Sequence, residues 1–278
     1  MIDILQKYYD IVVDSYEEVC NGIVFFIYDS KYYLYKSYLK EDEVNLLFNK
    51  IRETDIDIPL HSFIYNKDNN IYSDGYVLFK LNVFVEDVSL ADIEKFNNCR
   101  GIYLDYVKMD DFWFKKIDYL EYQLIELSNN KLINTSFDYF VGLAELLLSF
   151  YKDNYVFYEN DLCLSHKELN NLSSLEFYNP LNLSIDYKYK DIISFIRYTN
   201  NYQLLNDYLN KIDSNEKIYF FVRMCFPFKY FECLNECLLM NNEVCLLNII
   251  ERIDDYEKYL LYMEELFDIY LFSWIKKE

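Results

Sequence analysis

The apolar pattern of this chain changes character once, and that change limits the folds open to it. Between residues 11 and 83 most apolar side chains fall in short β-branched and aromatic runs separated by polar turns. Such runs read as strands, because branched and aromatic side chains pack well on a pleated surface. A short helix is expected over residues 2–9, followed by strand-like pieces at Ile11 to Val13 and Tyr16 to Cys20. Asn21-Gly22 is a turn signal. The run Ile23-Val24-Phe25-Phe26-Ile27-Tyr28 and the run Tyr32-Tyr33-Leu34-Tyr35-Lys36 flank the polar Asp29-Ser30-Lys31, which is the pattern of a hairpin. One amphipathic helix interrupts the series. Val44, Leu47, Phe48 and Ile51 stand at i, i+3, i+4 and i+7, with Glu41, Asp42 and Glu43 in the first turn, where the helix dipole favours acids. Further strands are expected over 58–65, around Ile71-Tyr72 and over 76–83.

From residue 87 the pattern is mainly helical, with candidates at 87–96, 110–127 and 136–151. Ser136 or Asp138 is the expected cap of the last, and Phe140, Leu143, Ala144, Leu147 and Leu148 trace its apolar face. Tyr155-Val156-Phe157-Tyr158 reads as a strand, residues 161–186 as an irregular segment, and four or five helices follow from Lys190. Strands first and helices afterwards, with no internal repeat, indicate an α+β protein and not alternating βαβ units. Only 4 Gly and 3 Pro interrupt the chain, so no flexible linker is expected. The natural division is a β-rich part with one helix over 1–84 and a helical part over 85–278.

Composition narrows the function classes. With 53% hydrophobic and 20% aromatic residues, the chain can bury a large core, which argues against disorder. Its 47 acidic against 27 basic side chains give a formal charge of -20. That is the wrong sign for a general nucleic-acid binder or a binder of anionic membranes. Charges break every apolar run well before the ~20 residues of a membrane span. The start, MIDILQKYYD, lacks a positive region followed by an apolar core, so no secretory signal is read and a cytoplasmic location is expected. The 31 Tyr can sit half exposed and suit protein contacts. Cysteines stand at 20, 99, 163, 225, 233, 237 and 245, an odd number with no CxxC pair. With His61 and His166 the only histidines, zinc is poorly supported. Buried thiols in a reducing compartment are expected, with Cys233 and Cys237 on one helix face.

The order strand, strand, Lys-bearing strand, helix with an early Glu, then two more strands resembles the amino-terminal lobe of a kinase. The later segment Leu164-Ser165-His166-Lys167-Glu168 resembles the H-x-D-x-x-x-x-N catalytic loop of the aminoglycoside-phosphotransferase-like families. Ile185-Asp186 resembles their metal-binding Ile-Asp pair, and Asp191, opening Asp191-Ile192-Ile193-Ser194-Phe195-Ile196, resembles the Asp that supports the loop from below. The stretch Phe177 to Asp186 resembles the spore-coat kinase-like branch, the YutH and CotS groups, more closely than drug-modifying enzymes. The resemblance spans residues 16–198.

It implies a bilobal protein-kinase-like fold and Mg-ATP as cofactor. By the same resemblance Lys36 would contact phosphates and pair with Glu43, or with Glu41. Asp186 would hold the metal, Glu168 would stand at the catalytic base position, and His166 and Asp191 would brace the loop. The departures matter. Glu168 is one methylene longer than Asp, and a displacement of ~1 Å can cost about 10²-fold in rate. Ser173 replaces the Asn ligand, and Asn170 and Asn171 stand at the wrong spacing. Gly22 is the lone glycine near the first hairpin. The expected function is therefore a catalytically impaired pseudokinase acting through a protein partner, in a spore-coat or envelope assembly. One alternative is an active Mg-ATP-dependent small-molecule phosphotransferase acting on a hydroxyl group, with Glu168 as base. The other is an unrelated α+β interaction protein.

Overall fold

The computed structural model describes residues 1–54, 57–85, 87–99, 106–127, 131–167, 169, 172–240 and 242–275. The chain forms two compact units, one of residues 1–106 with 159–199, the other of residues 107–158 with 200–278.

The first unit holds helix α1 (Ile2–Tyr9), strands β1 (Tyr16–Val19), β2 (Gly22–Ile27) and β3 (Ser30–Lys36), helix α2 (Glu41–Glu53), strands β4 (Ser62–Ile64), β5 (Tyr72–Ser73) and β6 (Tyr76–Lys80), and helix α3 (Leu90–Asn98). All pairings are antiparallel, in the order β1-β2-β3-β6-β4, with β5 added on β6. Alternation of side chains gives the sheet two apolar faces. Val24, Tyr33, Tyr35, Val77 and Phe79 pack with Val44 and Leu47 of α2. Ile23, Phe25, Leu34 and Leu78 pack with Leu5 of α1 on the other face. Gly22 is required by close approach, since a Cβ there would lie 1.9 Å from the Leu34 carbonyl oxygen. Its role is to let β2 pair tightly with β3.

Several elements end where a side chain takes over backbone groups. The strand expected over 58–65 is only Ser62–Ile64, and Asn66 turns the chain just beyond it. Asn66 Oδ1 accepts from the amides of Asp68 and Asn70, each at 2.9 Å. The helix expected from residue 87 starts at Leu90, because Ser89 and Asp92 cap it reciprocally.

Residues 161–186, read as irregular from sequence, contain strand β7 (Leu162–His166), the one-turn helix α6 (Ser174–Phe177) and strand β8 (Leu183–Tyr187). The two strands pair antiparallel, with Cys163 opposite Asp186 and His166 opposite Leu183. Helix α7 (Lys190–Thr199) completes the first unit.

The second unit is helical: α4 (Met109–Leu127), α5 (Lys131–Asn154), α8 (Tyr202–Leu209), α9 (Ser214–Cys225), α10 (Phe228–Met240), α11 (Val244–Glu251) and α12 (Ile253–Phe267). Six helices thus follow from Lys190 among the described residues, where four or five were expected. Neither Ser136 nor Asp138 caps α5, which begins at Lys131. Ser136 Oγ instead donates to the Leu132 carbonyl at 2.9 Å inside the helix. Tyr155 to Tyr158 is not a strand. The Asn215 side chain accepts from Val156 N at 2.7 Å and donates to Val156 O at 2.8 Å, occupying the groups a neighbouring strand would have used. The expectation of seven free thiols also fails. Cys233 and Cys245 form a disulfide joining α10 to α11, which spacing alone does not reveal, while Cys20, Cys99, Cys163, Cys225 and Cys237 are free. Among the described residues no helix is long and apolar enough to cross a membrane.

Candidate functional site

The first unit gathers three of the candidate residues around the end of β7. His166 and Asp191 are both fully buried, with Nδ1 and Oδ2 2.7 Å apart. The opposite ring nitrogen, Nε2, lies 2.8 Å from the Phe177 carbonyl. A carbonyl only accepts, so Nε2 carries hydrogen there. The ring is clamped between Phe96, at 4.7 Å, and Phe177, stacked at 4.3 Å. Asp191 also accepts from Ser165 Oγ at 2.8 Å and from the His166 amide at 3.4 Å. Burial pushes its pKa up, but His166, Lys190 and Ser165 together hold its carboxyl below the ordinary carboxylate range. These contacts fix the backbone at the mouth of the loop that follows.

Asp186 lies on β8 opposite Cys163. Its Oδ2 is 3.0 Å from Lys190 Nζ, with both side chains mostly buried, and its Oδ1 accepts from the Tyr187 amide at 2.8 Å. The same ammonium donates to the His166 carbonyl at 2.6 Å. Lys190 therefore ties β8 to the end of β7. The sequence reading did not single it out. It stands at i+4 from Asp186, but Asp186 lies on a strand and Lys190 opens α7, so no helical spacing pointed to the contact.

The other candidates lie elsewhere. Lys36 closes β3 as an exposed residue and shares its sheet face with Leu34, the face opposite to α2. Glu43 is the third residue of α2 and accepts from the Lys40 amide at 2.8 Å in a capping box. Glu41 is exposed at the first position of the same helix. No ion pair joins Lys36 to either acid among the described residues. The charge of Glu43 acts instead on Lys167, whose pKa burial lowers and Glu43 raises in part. Lys167 Nζ donates to the Leu181 carbonyl at 2.9 Å. Glu168, Asn170 and Asn171 lie outside the described residues. Ser173 caps α6, its Oγ accepting from the Leu175 amide at 3.3 Å.

Beyond the loop, the chain folds back onto the sheet. Glu176 accepts from Tyr33 at 3.0 Å and from Asn21 Nδ2 at 3.2 Å. Burial and the Glu176 charge drive the Tyr33 pKa upward, so the hydroxyl remains a donor. Leu175 and Leu181 pack into the apolar cluster on the α2 side of the sheet.

A nucleotide with its metal needs a free carboxylate and a lysine on the loop side of the sheet. Both oxygens of Asp186 are engaged by protein groups, and Lys36 stands on the other face. No cluster of three or more His, Cys, Asp or Glu suits a metal among the described residues. As placed, Asp186 and Lys36 do not meet that requirement, and Glu168, Asn170 and Asn171 lie outside the described residues.

No family model matches the chain, and no curated protein matches it. Solved structures do. An aminoglycoside phosphotransferase from Alicyclobacillus acidocaldarius superposes with a TM-score of 0.61 at 11% identity, over 96% of each chain. The fold is kinase-like. Spectinomycin phosphotransferase in complex with ADP and spectinomycin gives 0.56 at 12% identity, again over 96% of each chain. The AMP-bound complex of that enzyme gives 0.51 at 11% identity, over 99% of this chain and 98% of the other. In this fold a small antiparallel sheet precedes a larger helical part, as expected from sequence. Identities this low speak for the fold alone.

Proposed function

We propose that this chain is a pseudokinase that acts through protein contacts in a spore-coat or envelope assembly. The reading includes a cytoplasmic location and a lobe boundary near residue 84. Its main support is the lysine at the metal position: Lys190 Nζ lies 3.0 Å from Asp186 Oδ2. A lysine there supplies the positive charge that Mg²⁺ would bring, and a low-dielectric setting strengthens the pair. The docking of this segment on the sheet, with Tyr33 and Asn21 bonded to Glu176 of α6 and Leu175 and Leu181 in the apolar cluster, supports the same reading.

The test is thermal unfolding with and without Mg-ATP, for the parent and for Asp186→Ala. A ligand at 100 times its dissociation constant stabilises by about 2.7 kcal/mol. We expect no metal-dependent shift in either protein. Robust ATP-dependent phosphorylation that disappears in Asp186→Ala would refute the proposal.

The second reading is an active Mg-ATP-dependent phosphotransferase acting on a hydroxyl group. The intact His166–Asp191 pair favours it, because that pair braces the end of β7, two residues before Glu168. Two of the solved neighbours are structures of spectinomycin phosphotransferase with ADP or AMP bound. This reading requires turnover that Lys36→Ala abolishes, and a broad panel of hydroxylated acceptors without turnover counts against it.

A further inference from the structure

Helices α10 and α11 pack together in the second unit, but they are held very differently. Helix α10 buries Tyr230, Phe231, Cys233, Leu234 and Cys237. Helix α11 has eight residues and fully buries Leu246 alone, while Val244 and Leu247 are exposed. Its N-cap Glu243 makes no side-chain cap bond. A helix this short is marginal without strong packing. Helix α12, which follows at once, is seated by Leu260, Met263 and Phe267. Its Tyr256 and Tyr259 hydroxyls also donate to the Cys225 carbonyl at 2.6 Å and the Met224 carbonyl at 3.1 Å. Helix α11 is thus a weakly packed segment between two well-seated helices.

The Cys233–Cys245 disulfide ties this segment to α10. The two Cα atoms stand 5.3 Å apart, so the packed helices keep the sulfurs within bonding reach once the bond has opened. The ends of the bond differ. Cys233 is fully buried and Cys245 is partly exposed, so an external thiolate meets Cys245 first. Cys237 lies one turn from Cys233 on the same helix. Burial and the Glu243 charge raise its pKa, which keeps it a thiol, and a thiol is a poor attacker. Exchange therefore involves two cysteines of this cluster and not three.

We propose that the Cys233–Cys245 bond is a reversible, redox-sensitive brace on α11, opened by a dithiol reductant and re-formed by a small disulfide. One thiolate of the dithiol bonds to Cys245 Sγ. The Cys233–Cys245 bond breaks, and Cys233 Sγ leaves with the electron pair and takes a proton. The second thiolate of the dithiol then displaces Cys245 Sγ, which is protonated in turn. The dithiol is oxidised to its own disulfide, and the protein gains two thiols. A small disulfide runs the exchange backwards, through a mixed disulfide at Cys245, and returns two small thiols. Opening removes the cross-link that constrains α11, while α10 and α12 keep their buried contacts. For its setting the proposal rests on the cytoplasmic location given above, since disulfides in a reducing compartment are usually transient and redox-sensing.

The experiment is hydrogen exchange on the whole protein, oxidised and then reduced with dithiothreitol. Alkylation and peptide mapping read which cysteines are paired in each state. We expect the Cys233–Cys245 bond in the oxidised protein and both thiols after reduction. The α11 amides should then exchange about 10²-fold faster, the factor by which a cross-link closing a loop of about this length holds down the opened state. Amides of α10 and α12 should stay protected. Oxidised glutathione should restore both the bond and the slow exchange. Cys245→Ser, at the partly exposed end, should show the fast exchange with no reductant added. Four results would overturn the proposal: dithiothreitol leaves the bond intact in the folded protein, α11 exchanges at one rate in both states, α10 and α12 open together with α11, or mapping finds Cys237 bonded to Cys233 or Cys245. ATP turnover in either state would refute the pseudokinase reading and leave this one standing. Cell fractionation that places the protein outside the cytoplasm would refute that location and leave the exchange result unchanged.

Discussion

Asp191 allows a quantitative test of how the loop is held. Its carboxylate meets His166 Nδ1 at 2.7 Å, Ser165 Oγ at 2.8 Å and the His166 amide at 3.4 Å, all fully buried. Asp191→Ala removes every one of these and leaves a buried ring and hydroxyl without their partner. Breaking a buried pair from one side costs about 3–5 kcal/mol. Asp191→Asn should be far milder. The amide oxygen can still accept from Ser165 and the His166 amide, while the amide nitrogen can donate to Nδ1. With the Nε2 hydrogen facing the Phe177 carbonyl at 2.8 Å, the neutral ring of the variant leaves Nδ1 free to accept. With its hydrogen bonds kept, Asn should cost about 1 kcal/mol. The two variants also separate in pH. The folded Asp191 pKa lies below the ordinary 3.8, so its contribution is present above that value and is lost as pH falls through the folded pKa. The gap between parent and Asp191→Asn should therefore shrink in acid. Urea unfolding of all three proteins at neutral pH and at steps of falling pH measures both effects. Equal losses in Asn and Ala, or a gap that stays constant in acid, would refute the reasoning.

Two further outcomes follow from single contacts. His61 is buried, which pushes its pKa down to about 4, partly offset by hydrogen bonding to the Ser174 and Leu175 backbone. The unfolded chain then binds the proton first, so stability is full above pH 6.5 and falls as pH drops from 6.5 towards 4. The loss is up to about 3 kcal/mol, and His61→Phe should flatten this window in urea unfolding; an unchanged slope would assign the titration elsewhere. Tyr33→Phe removes the 3.0 Å bond to Glu176 and should cost about 2 kcal/mol in denaturant unfolding, as bonds to charged groups do. No measurable loss would mean that α6 is held to the sheet by Leu175 and Leu181 alone.

The sheet was legible because its runs are long enough to show their period. β2 and β3 alternate faces over a full hairpin, and α2 places Val44 and Leu47 on one stripe. Residues 161–186 were not, because β7 and β8 are five residues each and bury Ser165 and His166 beside apolar residues. Pairing across the gap, not local composition, makes them strands. Lys36 shows the limit differently. Its strand was read correctly, but which face it takes depends on a register of one residue, and a shift of one flips every side chain. The Lys36–Tyr76 pairing fixes that register, and it is a long-range fact. The resemblance named His166 and Asp191 each as a support of the loop, without pairing them. Lys190 was not, because its partners come from two different strands.

Asn215 has a consequence for solubility. Tyr155 to Tyr158 is a short, aromatic, uncharged stretch of the kind that recruits copies of itself into cross-β stacks. Its central peptide groups are the template such stacking needs. By holding both backbone groups of Val156, one amide on α9 withdraws that template while the fold is intact. Partial opening of α9 would expose those two groups again.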